Sequence, residues 1–132
     1  MSFNNHGDGT LIESVTGLMW QVEEDEEKKP YGEALMYCQL LDLGGYDDWR
    51  LPTKEELMAL ARPGSDALKG LFPKLQDERY WAASPEDELI WAENPGKIAY
   101  TVDFDPDSSN YGQAITYYRS YSYYVRAVRD AS

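Results

Sequence analysis

Asp48-Trp49-Arg50-Leu51-Pro52-Thr53-Lys54-Glu55-Glu56-Leu57 leads from a turn into the second of two helices. Thr53 opens that helix, and Glu56 three residues later completes a capping box. Leu57, Leu60 and Ala61 form the inner face of that helix, which Pro63-Gly64 ends. Arg50 is expected to pair with a carboxylate or carbonyl and so lock the turn before the helix.

Upstream, a first helix runs from about Tyr31 to Asp42, with Ala34, Leu35, Cys38 and Leu41 at helical spacing and Gly44-Gly45 as its stop. Before it lies Glu23-Glu24-Asp25-Glu26-Glu27-Lys28-Lys29-Pro30, a charge run read as a solvated loop. Earlier still, Thr10 to Glu13 and Leu18 to Val22 read as strands separated by turn residues. Downstream of Leu71-Phe72-Pro73 the pattern turns to β. Candidate strands are Tyr80 to Ala83, Leu89 to Ala92, Ile98 to Phe104, Gly112 to Tyr118 and Ser122 to Val128. Pro85, Asn94-Pro95-Gly96 and Asp105-Pro106-Asp107 punctuate them. Strands, two helices, then strands is an α+β order without βαβ units.

Composition bounds the function. The 132 residues are 42% hydrophobic and 14% aromatic, which suits one domain (1–132) with a real core. Twelve basic against 24 acidic residues give a net charge of -12, which opposes phosphate-tracking nucleic-acid binding. No apolar run approaches the ~20 residues that span a bilayer, so no membrane insertion is expected. The start lacks the basic-then-apolar layout of a signal peptide, so the product reads as cytoplasmic as written. A domain excised from a longer exported protein would instead sit at the cell surface. One cysteine permits neither an intrachain disulfide nor a thiolate metal site. Cys38 lies on the apolar stripe of its helix and reads as a buried hydrophobe. His6, the single histidine, has no evident catalytic partner.

Several fragments recur in a recognisable order. They are Gly9-Thr10-Leu11, Thr16-Gly17-Leu18-Met19-Trp20, Ala34 with Cys38, and Asp48-Trp49-Arg50-Leu51-Pro52-Thr53 with Glu56-Leu57. Tyr80-Trp81-Ala82-Ala83-Ser84, Val102-Asp103-Phe104 and Val125-Arg126-Ala127-Val128-Arg129 complete the set. Together they resemble the C-terminal domain family of the bacterial collagen-like adhesin Lcl. The resemblance implies a C-type-lectin-like fold, with two helices packed on a twisted antiparallel sheet and paired terminal strands. Relatives often carry a second cysteine where this chain has Ala127, placed to bridge to the helix cysteine. Its absence fits a reducing compartment, and the resemblance implies that Ala127 packs near Cys38. Trp20, Trp49 and Trp81 are expected in the core, each burial contributing about 2–3 kcal/mol.

Three constellations could carry chemistry. Asp103, Asp105 and Asp107 alternate like calcium ligands, but Ser108 and Ala114 stand where an EF-hand needs glycine and glutamate. A looser calcium site is weighed against an acidic β-turn, and the turn is favoured, so no cofactor is expected. Glu93-Asn94-Pro95 resembles the Glu-Pro-Asn sugar-binding triplet of C-type lectins, in the wrong order. The fold-related formylglycine-generating enzymes use cysteines near their C-terminus, which this chain lacks, so no enzyme is expected.

The third constellation is the C-terminal aromatic set. From Tyr111 to Ser132 the charges are Arg119, Arg126, Arg129 and Asp130, a local surplus of cations in an acidic chain. Tyr111, Tyr117, Tyr118, Tyr121, Tyr123 and Tyr124 are interleaved there with Ser, Asn and Arg, the composition of paratopes and hot spots. Strand periodicity sends Tyr123, Val125 and Ala127 to one face and Tyr124, Arg126 and Val128 to the other. A sheet surface of cross-strand tyrosine pairs is the alternative. The expected ligand site comprises Tyr117, Tyr118, Arg119 and Tyr121 at the centre, with Trp91 and Tyr111 at its margin. A protein or glycan is the expected ligand, and sulfated glycans conflict with the net charge unless arginines cluster. The competing reading is a structural, self-associating unit, and a monomer or small homo-oligomer is expected. The stretch from Asp105 to Tyr124 also has the composition that adenine-randomising retroelements leave, followed by framework at Val125 to Arg129.

Overall fold

The architecture follows from one strand buried on both faces. In this computed structural model, which describes residues 2–131 apart from the Glu86 side chain, every residue of β3 (Leu18–Gln21) is buried. It pairs antiparallel with β2 (Thr10–Glu13), which pairs with β1 (Phe3–Asn5), and on its other edge with β7 (Val128–Asp130). The C-terminal strand β7 thus pairs with the third strand, β3, in the register Trp20 opposite Val128, while the first strand, β1, lies at the far edge of the sheet. A second antiparallel sheet holds β4 (Arg79–Trp81), β5 (Ile98–Asp103) and β6 (Ala114–Tyr118), in that order. The fold is α+β, with three helices against two antiparallel sheets. Met1 and Ser132 lie outside the described residues.

Alternation along β3 and β4 divides the core in two. Leu18, Trp20 and Tyr80 enter one cluster with Leu57, Leu60, Leu68, Phe72 and Val128. Met19 and Trp81 enter the other with Tyr31, Ala34, Cys38, Trp49, Val125 and Ala127. Helix α1 (Tyr31–Leu40) covers the second cluster; α2 (Lys54–Ala61) and α3 (Ser65–Leu71) cover the first. Trp20, Trp49 and Trp81 are all buried, and Cys38 and Ala127 share a cluster.

The Trp-Arg-Leu-Pro-Thr segment is the joint between these parts. Trp49 is buried and donates from Nε1 to the Tyr46 carbonyl at 3.1 Å. Arg50 bridges to Val128 through reciprocal backbone bonds and forks its guanidinium onto Glu56 at 2.8 and 2.9 Å. The capping box is complete: the Glu56 N–H donates to Thr53 Oγ1 at 3.1 Å, and the Thr53 N–H to Glu56 Oε1 at 2.8 Å. One carboxylate therefore caps α2 and anchors the arginine that ties α2 to β7.

Four expectations need correction. Gly44-Gly45 do not stop α1; the chain leaves the helix at Leu41, and the glycines form a turn closed by reciprocal bonds between Leu43 and Tyr46. A third helix forms at Ser65–Leu71, where Leu68 and the following Phe72 are drawn fully into the core. Leu89 to Ala92 is a loop, because Leu89 alone is buried while Ile90 and Trp91 stand 78% and 64% exposed. Ser122 to Ala127 forms no continuous ladder. The segment crosses between sheets through single bridges at Tyr123, Tyr124 and Val128. Its side chains still alternate as periodicity requires, Val125 and Ala127 to one cluster and Val128 to the other.

Candidate functional site

Beside the β5–β6 pair runs a groove of about 410 Å³, lined by Ala92, Glu93, Asn94, Ile98, Thr116, Tyr117, Tyr118 and Tyr121. One wall is the loop from Pro85 to Lys97, which Leu89 pins to the core and which contains two short 3-10 turns, Glu86–Glu88 and Pro95–Lys97. Trp91, expected at the margin of the site, does not line the groove: its Nε1 donates to the Glu88 carbonyl at 3.0 Å and its side chain stands in solvent. The other wall is β6 and the turn after it, closed by the Tyr121 N–H donating to the Tyr118 carbonyl at 3.0 Å.

The tyrosines differ in role. Tyr117 is half-buried against Tyr123, ring centroids 5.3 Å apart, with the Arg79 guanidinium 5.0 Å over its ring. Tyr118 and Tyr121 are 54% and 48% exposed and meet edge to face at 5.8 Å. Ile98, Thr116 and Tyr118 share one face of the β5–β6 ladder, with Ile98 directly opposite Tyr118, so the groove lies over that face beside β6.

Two other expected members stand apart. Arg119 supports the groove from behind: its Nε donates to the Ile98 carbonyl at 2.9 Å and its guanidinium lies 4.7 Å over the Tyr31 ring. Tyr111 belongs to another surface. Gly112, at φ 74, turns the chain so that Tyr111 packs on Phe104 and donates its hydroxyl to the Ala61 carbonyl at 2.8 Å. It serves there as a side-chain cap for the end of α2, and burial raises its pKa.

The C-terminal cations are also redirected. Arg129 is buried, donates to Asp48 at 2.6 and 3.2 Å, and covers the Tyr46 ring at 3.7 Å. Arg126 is fully buried, donating to the Gln21 and Val22 carbonyls and to Glu24 Oε1 at 2.9 Å. The surplus of positive charge near the C-terminus therefore makes no surface patch. Glu24, read as part of a solvated run, is a buried anchor that also accepts from the Tyr80 hydroxyl. Burial outweighs Arg126 and pushes its carboxyl up to about 7. Only the alternation that put Arg126 on the face of Val128 hinted at a buried partner.

Around the aspartates the geometry is that of a turn. Asp103 accepts from the Asp105 N–H at 2.8 Å, and Asp105 from the Asp107 N–H at 2.9 Å. The second Asp103 oxygen faces Arg79 at 3.5 Å across β4 and β5. Among the described residues, no group of three His, Cys, Asp or Glu side chains is gathered to hold a metal. No described helix is long and apolar enough to cross a membrane. Cys38 is buried, and burial pushes its thiol up to about 12.

Compared with known families, the chain matches the model of the Lcl C-terminal domain over residues 9–129. No curated protein matches the chain significantly.

Proposed function

Because this chain belongs to the Lcl C-terminal domain family, we propose that it is a non-catalytic recognition module of C-type-lectin-like fold, holding a protein or glycan in the tyrosine groove. One observation carries the reading. No residue from Asp105 to Tyr124 is buried, whereas Val125 to Arg129 are all buried. A surface segment rich in tyrosine and serine is thus mounted on a rigid frame, which separates binding from stability. The same division suits a variable protein whose surface is diversified by a retroelement, and a template repeat beside the gene, differing at adenines, is the test of that point. An elevated thiol pKa and the burial of Cys38 make the lone cysteine a poor nucleophile, which supports a non-catalytic role. Sulfated ligands are disfavoured, since two of the three arginines after Tyr111 are buried against acids.

An array of glycans and peptides, probed with the wild type and with a Tyr118→Ala/Tyr121→Ala variant, tests the site. Loss of specific signals in the variant supports the groove; unchanged signals remove it. A second reading, self-association, draws on α1, where Met36 and Leu40 lie one turn apart and are 57% and 76% exposed. Light scattering across a dilution series separates the two readings.

A further inference from the structure

Resting on that reading of the groove, we infer that its occupant is an extended peptide segment bearing lysine or arginine. Six of the eleven tyrosines sit against cations of the protein's own. Tyr31, Tyr37, Tyr46, Tyr100, Tyr117 and Tyr124 each have a lysine or arginine within 5.7 Å of the ring centroid. Of the other five, none of which has a cation over its ring among the described residues, Tyr80 is buried and Tyr111 and Tyr123 are half-buried, whereas Tyr118 and Tyr121 are exposed. Their ring faces carry the negative end of the quadrupole and attract a cation. The charged residue lining the groove is Glu93, an acid, and no lysine or arginine lines it. Asp87 and Glu88 are exposed on the same loop, and against them stands Lys97, exposed at the loop's end. Arg119, the nearest cation in sequence to the tyrosines, is held on the Ile98 carbonyl and the Tyr31 ring. The net charge of -12 adds long-range attraction for a basic partner.

Shape favours a peptide over a compact ammonium headgroup. The groove lies beside β6, the outer strand of its sheet among the described residues, and an outer strand offers backbone groups along its free edge. An extended chain can bond to that edge while one cationic side chain enters between Tyr118 and Tyr121, opposite Glu93.

The test uses synthetic decapeptides with a single central Lys or Arg, and matched peptides with Gln or Glu there, read by fluorescence anisotropy at low and high salt. Basic peptides are expected to bind, more weakly as salt rises. Tyr118→Leu/Tyr121→Leu, which keeps apolar bulk and removes the rings, should weaken binding about tenfold. Glu93→Gln should weaken it about threefold and reduce the salt dependence. All three side chains are exposed, and circular dichroism checks that the variants fold. If Gln or Glu peptides, or glycans, bind equally well and still depend on the tyrosines, the basic-peptide assignment is overturned and the groove survives. Peptide binding that ignores the tyrosine substitutions overturns both, and failure of every peptide to bind overturns the basic-peptide assignment.

Discussion

Arg126 donates from Nη2 to Glu24 Oε1 at 2.9 Å with both side chains almost wholly withdrawn from solvent, linking residues 102 apart. The pair fastens the acidic strap after β3 to the C-terminal segment, and the second Glu24 carboxylate oxygen has no hydrogen-bond partner among the described residues. That oxygen explains why burial prevails over the arginine and lifts the carboxyl to about 7.

Stability should therefore fall across mild pH. Glu24 has a folded pKa above its ordinary 4.5, so its contribution is fully present below that value and is lost as pH rises toward about 7. The shift corresponds to about 3 kcal/mol. Glu13 and Glu56 are shifted down, so what they contribute is present above the ordinary carboxylate range and lost as pH falls through their folded values. Urea midpoints should peak near pH 5 and decline toward pH 8, and Glu24→Gln should flatten the decline. A wild type equally stable at pH 5 and pH 8 would refute the assignment.

The α2 cap and the Arg50 fork share one carboxylate, so their losses should not add. Thr53→Ala is expected to cost about 1 kcal/mol, and Glu56→Ala more, because it also removes the two-point Arg50 contact and leaves Arg50 with the exposed Asp130. Equilibrium unfolding of the single and double variants should give a coupling near 1 kcal/mol. Strict additivity would mean that the two functions of Glu56 are independent.

Gly44 and Gly45 separate two costs. Both have positive φ, 63 and 86, but a Cβ on Gly44 would sit 2.6 Å from Thr10 Cγ2 while one on Gly45 meets open space. Gly45→Ala should cost about 1 kcal/mol from backbone strain alone, and Gly44→Ala clearly more. Equal thermal shifts would show that the contact relaxes freely.

Cys38 should be silent toward thiol reagents. Its burial and a pKa pushed up to about 12 leave almost no thiolate at pH 8. Labelling should follow unfolding in denaturant, and rapid labelling of the native protein would contradict the packing of α1.

Local signals in the sequence proved legible where their physics is local. Thr53 and Glu56 are one turn apart, so the capping box could be read directly, and Trp20, Trp49 and Trp81 lie in segments that carry other buried apolar residues, whereas Trp91 sits beside the exposed Ile90 in its loop. Ser65–Leu71 was not legible, because a seven-residue helix flanked by Gly64 and containing Gly70 has little intrinsic propensity and forms through the burial of Leu68. Glu24 was hidden inside a charge run, since its partner lies beyond any local window. Within the site, composition drew attention to Tyr117, Tyr118 and Tyr121, which the fold brings together, and equally to Tyr111, which the turn at Gly112 carries away to α2.

The most direct test of the groove is residue-resolved NMR of the domain titrated with the strongest ligand from the array. Amide shifts are expected at Glu93, Asn94, Thr116, Tyr118 and Tyr121, fading with distance from that groove. Shifts centred instead on Tyr111, Gly112 and Arg62, with the tyrosine groove unmoved, would contradict binding in the groove.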